Sequence, residues 1–264
     1  MSAAGPPQGA NSAPSGGSEA AEPRAWGHAA SEGRRTGPLR VAHRGAPRVA
    51  IENTLRSIEI AERAAADATE FDVRATRDGV PVLLHDRTLE RFWGDPHEIG
   101  QLTLAEVQGL RARSPDGAID RIPTLEQVLD GTRGMLVVDV KIDTMLPAID
   151  SMIAARGAYP RIVFNGGPTM AEAVRRAIPG SRVLMSWSHP EPPPAELIAR
   201  VAPFAINLEW TEANGTAVPA YRAMGLGVWC WTVDDPVSAR RARDAGVDAI
   251  ISNDLPAIAA GLDR

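Results

Sequence analysis

From residue 39 to the C-terminus, short apolar and β-branched runs alternate with longer stretches of helical periodicity, and this alternation restricts the chain to a parallel βα architecture. The pattern predicts strands over 39–43, 69–76 with a continuation at 80–85, 135–142, 161–165, 182–187, 205–210, 227–233 and 249–252. Helices are predicted over 52–66, 104–110 with 125–130, 145–156, 170–177, 195–201, 218–224, 236–245 and 255–262. A doubly wound open sheet shares the alternation, but it usually carries a glycine-rich phosphate turn early in the chain. Neither GxGxxG nor GxxxxGK[ST] occurs here, so a closed (β/α)8 TIM barrel is favoured. The 264 residues suit one such barrel.

Residues 1–38 are rich in Ala, Gly, Pro and Ser and cannot bury enough apolar surface to offset ordering, so they are expected to form a disordered tail ahead of a barrel domain spanning 39–264. Residues 87–123 form the one long irregular connection, expected to cover one rim. The net charge of -5 argues against a nucleic-acid partner. Cys230 stands alone, which excludes an internal disulfide framework and fits a core position. The sequence has neither an apolar run of membrane-spanning length nor a signal-like segment, so no stable membrane insertion and a cytoplasmic location are expected.

In a barrel, reactive groups sit at the C-terminal ends of the strands and in the loops beyond. Here the first run ends in His43-Arg44-Gly45, the second carries Glu70-Phe71-Asp72, the next ends in His85-Asp86, and another holds Asp139-Val140-Lys141. Residues two apart on a strand share a face, so Glu70 and Asp72 point the same way. Asp139 brings a third carboxylate to the same cation while the Lys141 ammonium stays free for an anionic ligand. Such an oxygen set suits Mg2+ or Ca2+ better than zinc. An isolated Glu-x-Asp pair could equally serve a buried salt-bridge network, and either histidine alone could be structural. As a pair, His43 and His85 offer the base and acid that phosphodiester cleavage needs. Arg44 could clamp a phosphate. Glu52, taken with Arg44, Lys141 and Trp231 as a candidate substrate-binding residue, and Asn53 are expected to open a helix, where the dipole alone would favour an acid. Trp231 is placed at the mouth of the barrel; Trp187, Trp210 and Trp229 are expected between strands and outer helices. His28, His97 and His189 have no comparable setting and are read as surface or loop residues.

Taken in order, these residues resemble the glycerophosphodiester phosphodiesterase family over about Val41 to Pro256. The matching motifs are His43-Arg44-Gly45-Ala46, Glu52-Asn53-Thr54, Glu70 with Asp72, Thr76-Arg77-Asp78-Gly79, His85-Asp86, Ile122-Pro123-Thr124-Leu125-Glu126, Trp231-Thr232-Val233-Asp234 and Gly246-Val247-Asp248. The resemblance implies divalent-cation ligands at Glu70, Asp72 and Asp139, acid and base at His43 and His85, and phosphate contacts from Arg44 and Lys141. It further implies a small glycerophosphodiester substrate cleaved to sn-glycerol 3-phosphate and an alcohol, through attack by the glycerol 2-hydroxyl and a cyclic phosphate. The chain departs from the pattern at Asp139, where the family usually has glutamate, at Ile51, where it commonly has proline, at Asp234, where it tends to have asparagine, and after His85, where Asn-Gly-Thr-Gly is missing. A lysophospholipase D-like enzyme, or a binding barrel impaired at Asp139, are the alternatives.

Overall fold

The computed structural model describes Met1 and residues 37–189 and 191–263. The tail expected over 1–38 therefore lies, apart from its ends, outside the described residues, as does His28. Eight parallel strands form the barrel: β1 (Leu39–His43), β2 (Ala68–Ala75), β3 (Met135–Val140), β4 (Ile162–Gly166), β5 (Val183–Trp187), β6 (Ala205–Glu209), β7 (Gly227–Trp231) and β8 (Ala249–Ser252). Each pairs with its sequence neighbours, and β1 pairs with both β2 and β8, which closes the sheet. The outer helices are α1 (Leu55–Arg63), α2 (Leu125–Gly131), α3 (Leu146–Ala155), α4 (Pro168–Ala177), α5 (Ala195–Val201), α6 (Ala217–Ala223), α7 (Pro236–Ala245) and α8 (Leu255–Leu262).

Strand alternation sorts the side chains into two cores. Outward residues such as Phe71, Val138, Phe164, Met185, Ile206, Val228, Cys230 and Ile250 pack against the helices. Burial pushes the Cys230 thiol pKa up to about 12, as befits an inert core residue. Inward residues Val41, Ala68, Val137, Val163, Leu184, Ala205, Trp229, Ala249 and Ile251 form a separate plug inside the barrel. Trp187 and Trp210 belong to the outer core as expected, but Trp229 does not. It alternates inward with Trp231 and fills the barrel interior, which is where a large flat side chain can plug the space between eight strands.

Two further expectations are corrected. Residues 80–85 do not continue β2: an Asp78-Gly79 turn, with Gly79 at φ 78°, reverses the chain. Pro81–Leu83 then pairs antiparallel with Val73–Ala75. This fold-back carries His85 to the site from the rim and not from a barrel strand. Nor does α1 open at Glu52. Asn53 has φ 58°, outside the helical region, and the first cap is Thr54, whose hydroxyl accepts from the Ser57 amide at 3.2 Å.

The connection over 87–123 does cover the rim, but it is structured. Antiparallel pairs link Thr88–Leu89 with Asp95–Glu98 and Ala112–Arg113 with Ile119–Asp120, with short helices at Glu90–Trp93 and Leu104–Gly109. Leu89, Trp93, Ile99 and Val107 bury against Ile51, Val82 and Leu84 in a third, satellite core. No helix among the described residues is long and apolar enough to cross a membrane.

Candidate active site

One layer above the apolar plug, the inward positions become polar. His43 of β1, Glu70 and Asp72 of β2, Asp139 of β3, Asn165 of β4, Ser186 of β5, Asn207 of β6 and Trp231 of β7 line one cleft, joined by Arg44, Lys141 and His85. Burying so many polar groups requires that they satisfy one another or a ligand.

Asp72 and Asp139 are direct cross-strand neighbours, and oxygens of Glu70, Asp72 and Asp139 all lie within 4.8 Å of one another. Lys141 is not free, contrary to the sequence expectation. Its Nζ lies 2.8 Å from Asp72 Oδ1 and 3.0 Å from Asp139 Oδ2, because two nearly buried carboxylates draw in the nearest cation. Arg44 Nε sits 3.2 Å from Asp72 Oδ2 as an ion pair without hydrogen-bond alignment. Asn53 completes the setting of Asp72, donating from Nδ2 at 2.9 Å and accepting the Asp72 amide at 3.0 Å. Burial opposes ionisation of Asp72, but the charges of Lys141 and Arg44 outweigh it and lower its pKa. Glu70 is the opposite case. Burial first, then the charges of Asp72 and Asp139, raise its pKa well above the ordinary carboxylate value. Asp139 is also raised, chiefly by burial. Three mutually repelling hard oxygen donors of this kind fit a divalent cation, whose charge would offset their repulsion.

The histidines differ in their partners. His43 Nδ1 lies 2.8 Å from Asn253 Oδ1, and the Asn253 amide is oriented by its own Nδ2 donating to Asp234 at 2.8 Å. The oxygen therefore faces the ring, the proton sits on Nδ1, and the Nε2 lone pair is left toward Glu70, 3.9 Å away. Burial, reinforced by Arg44, lowers the His43 pKa below 6.5. His85 Nδ1 lies 2.8 Å from a carboxylate, Asp86 Oδ1. His97 and His189 are exposed, as expected, and lie outside the cleft.

The backbone at the end of β1 is held in an unusual shape. Arg44 has φ 57° and Gly45 φ 89°, and a Cβ on Gly45 would overlap Ser57. Ser57 Oγ donates to the Arg44 carbonyl at 3.0 Å, and the Asn53 amide donates to the same oxygen at 3.0 Å. Left-handed backbone at a non-glycine residue concentrates at sites where a side chain must be aimed, and here it aims Arg44 across Asp72. Glu52 is not among the residues lining the cleft; it stands behind Arg44, with Oε1 2.9 Å from Arg44 Nη1.

The family model for the glycerophosphoryl diester phosphodiesterase family matches residues 43–157 and 143–256. The chain belongs to this family. A glycerophosphodiester phosphodiesterase of Caldanaerobacter subterraneus is 28% identical over 82% of this chain and 94% of its own length. A probable glycerophosphodiester phosphodiesterase 2 of Mycobacterium tuberculosis is 28% identical over 83% and 89%. Among solved structures, an Oleispira antarctica phosphodiesterase in complex with the product sn-glycerol-3-phosphate superimposes with a TM-score of 0.79 at 22% identity, covering 86% of this chain and 98% of that one. Membership in the glycerophosphoryl diester phosphodiesterase family makes phosphodiester hydrolysis the reaction class, and the acidic cluster is a candidate cation site within it.

Sequence reasoning overlooked the far wall of the cleft. Asn207 Nδ2 donates to Ser186 Oγ at 3.3 Å, Ser186 Oγ to Asn165 Oδ1 at 3.0 Å, and Asn165 Nδ2 to Asp139 Oδ2 at 3.0 Å. Every donor in this relay points toward Asp139, which fixes the shorter carboxylate in place. The signal was present: each is a polar residue at an inward position near the end of an otherwise apolar strand.

Proposed function

We propose that the protein hydrolyses glycerophosphodiesters to sn-glycerol 3-phosphate and an alcohol with the help of Mg2+ or Ca2+ held by Glu70, Asp72 and Asp139. When bound, the cation supplies charge stabilisation for the phosphoryl oxygens. The observation that carries the reading is the convergence of the three carboxylates with two histidines of unlike environment in one cleft.

Unlike partners assign unlike roles. His43, neutral and with its Nδ1 proton engaged by a neutral amide, takes the proton of the attacking glycerol 2-hydroxyl at Nε2. His85, its ring oriented by the Nδ1 contact to Asp86, gives its Nε2 proton to the departing alkoxide. The P–O bond to the alcohol breaks as the bond to the 2-oxygen forms, leaving a cyclic phosphate. Water then opens that ring with the two histidines exchanging roles. Arg44 and Lys141, positioned across the carboxylates, are the cations available to the phosphate. Trp231, whose Nε1 has no hydrogen-bond partner, offers an indole wall to the substrate.

The test is release of glycerol 3-phosphate from glycerophosphocholine and glycerophosphoethanolamine with Mg2+, Ca2+ or EDTA. Cation-dependent release by the wild type, reduced at least about 100-fold in both His43→Ala and His85→Ala, is the expected result. Release that survives either substitution would remove the acid and base assignment.

A further inference from the structure

We propose that Arg91, on the rim helix Glu90–Trp93, is a positioning residue that holds His85 and Arg44 in fixed relation; this rests on the acid role given to His85 above. Its fork reaches in two directions. Nη2 and Nη1 donate to Glu52 Oε1 and Oε2 at 2.6 and 3.2 Å, and Nε donates to Asp86 Oδ2 at 2.6 Å. Each acceptor also holds a residue of the cleft. Glu52 Oε1 receives Arg44 Nη1 at 2.9 Å, and Asp86 Oδ1 meets His85 Nδ1 at 2.8 Å. Arg44, Glu52, Arg91, Asp86 and His85 thus form one continuous chain between the end of β1 and the end of the fold-back hairpin.

A planar guanidinium with donors on both edges can join two carboxylates in this way, whereas an ammonium presents a single point. The Arg91 side chain is 44% exposed, so as an isolated ion pair it would add little stability. Its placement is nonetheless specific. Leu89 and Trp93 on either side are buried in the satellite core, which fixes the short helix, and the Phe92 ring lies 4.3 Å from the guanidinium carbon. The rim module thereby delivers one cation to the back of the site.

Arg91→Ala and Arg91→Lys would be compared with wild type, with His85→Ala, and with Arg87→Ala, whose pairing with Glu98 at 2.9 Å lies outside this chain of contacts. For glycerophosphodiester cleavage, kcat is expected to fall about 10- to 100-fold in Arg91→Ala with a smaller change in KM. Lysine should restore little, millimolar guanidinium should recover much of the alanine loss, and Arg87→Ala should match wild type. Wild-type kcat in Arg91→Ala, full rescue by lysine, or no recovery with guanidinium would overturn the proposal. The His85 Nδ1 proton, followed by NMR in the same variants, reads the clasp without substrate: it should be sharp in wild type and exchange-broadened in Arg91→Ala. If the wild type cleaves no diester, the functional reading fails, and an unchanged proton signal would separately overturn the clasp.

Discussion

His43 and Asn253 are 210 residues apart in sequence and 2.8 Å apart in space, and this contact decides which nitrogen of the imidazole is available to a substrate. Asn253→Ala removes the acceptor that fixes the tautomer, so kcat should fall about tenfold or more without loss of folding, as steady-state kinetics and circular dichroism would show. A wild-type rate in that variant would mean the ring is set by something else. The base role proposed for His43 requires a neutral ring, so activity should be lost as pH falls through its pKa. Burial and Arg44 lower that pKa, so the acid limb of kcat/KM should lie below 6.5. A limb at or above that value would contradict the assignment. At this scale the sequence exposed what strand spacing exposes: His43, Glu70, Asp72 and Asp139 sit at inward positions of predicted strands. It did not expose Asn253, the hold that Asp234 has on it, or the Asn165, Ser186 and Asn207 relay, whose importance depends on strands distant in the chain. Nor could it show Lys141 paired with two carboxylates, since pairing depends on which charges the closed barrel brings together.

Between β1 and α1 the backbone makes two left-handed excursions, at Arg44-Gly45 and at Asn53, before Thr54 caps the helix. Gly45→Ala tests how tightly this element is built. The added Cβ overlaps Ser57 and must occupy φ 89°, so the variant should lose about 1–3 kcal/mol of stability, visible as a lower Tm, and displace Arg44. An unchanged Tm and activity would show that the turn can relax. The barrel strands and most helices were legible because their apolar periodicity is strong. The fold-back at Asp78-Gly79 carried its own turn signal, but the apolar run that follows it reads equally well as a continuing strand. The rim module escaped for another reason. Its strands are two to four residues long and bury against Ile51, Val82 and Leu84, so no local period announces them.

Across the whole molecule, an all-parallel barrel places its polar layer directly above an apolar plug, and the acidic cluster is held where self-repulsion is strongest. That has a consequence for stability. Burial and neighbouring charge raise the Glu70 pKa, so the folded state holds its proton more tightly than the unfolded chain. The contribution is complete below the ordinary value of 4.5 and is lost as pH rises through the raised pKa. A divalent cation competes with that proton. Mg2+ or Ca2+ at a fixed concentration near 100 times the Kd at pH ~8 should therefore stabilise by about 2.7 kcal/mol, or roughly 5–10 °C, at that pH, and by less at pH ~5, where proton competition raises the Kd. Thermal melts with and without cation at both pH values check this; equal shifts, or none, would count against the cluster as a cation site. The most direct test of the central claim is a titration of Mg2+ or Ca2+ into EDTA-stripped protein while glycerol 3-phosphate release is followed, in wild type and Asp72→Asn. The wild type should be inactive when stripped and recover along a saturable curve, with Asp72→Asn shifted to at least about 100-fold higher cation. Full activity in EDTA, or an unshifted curve in Asp72→Asn, would contradict it.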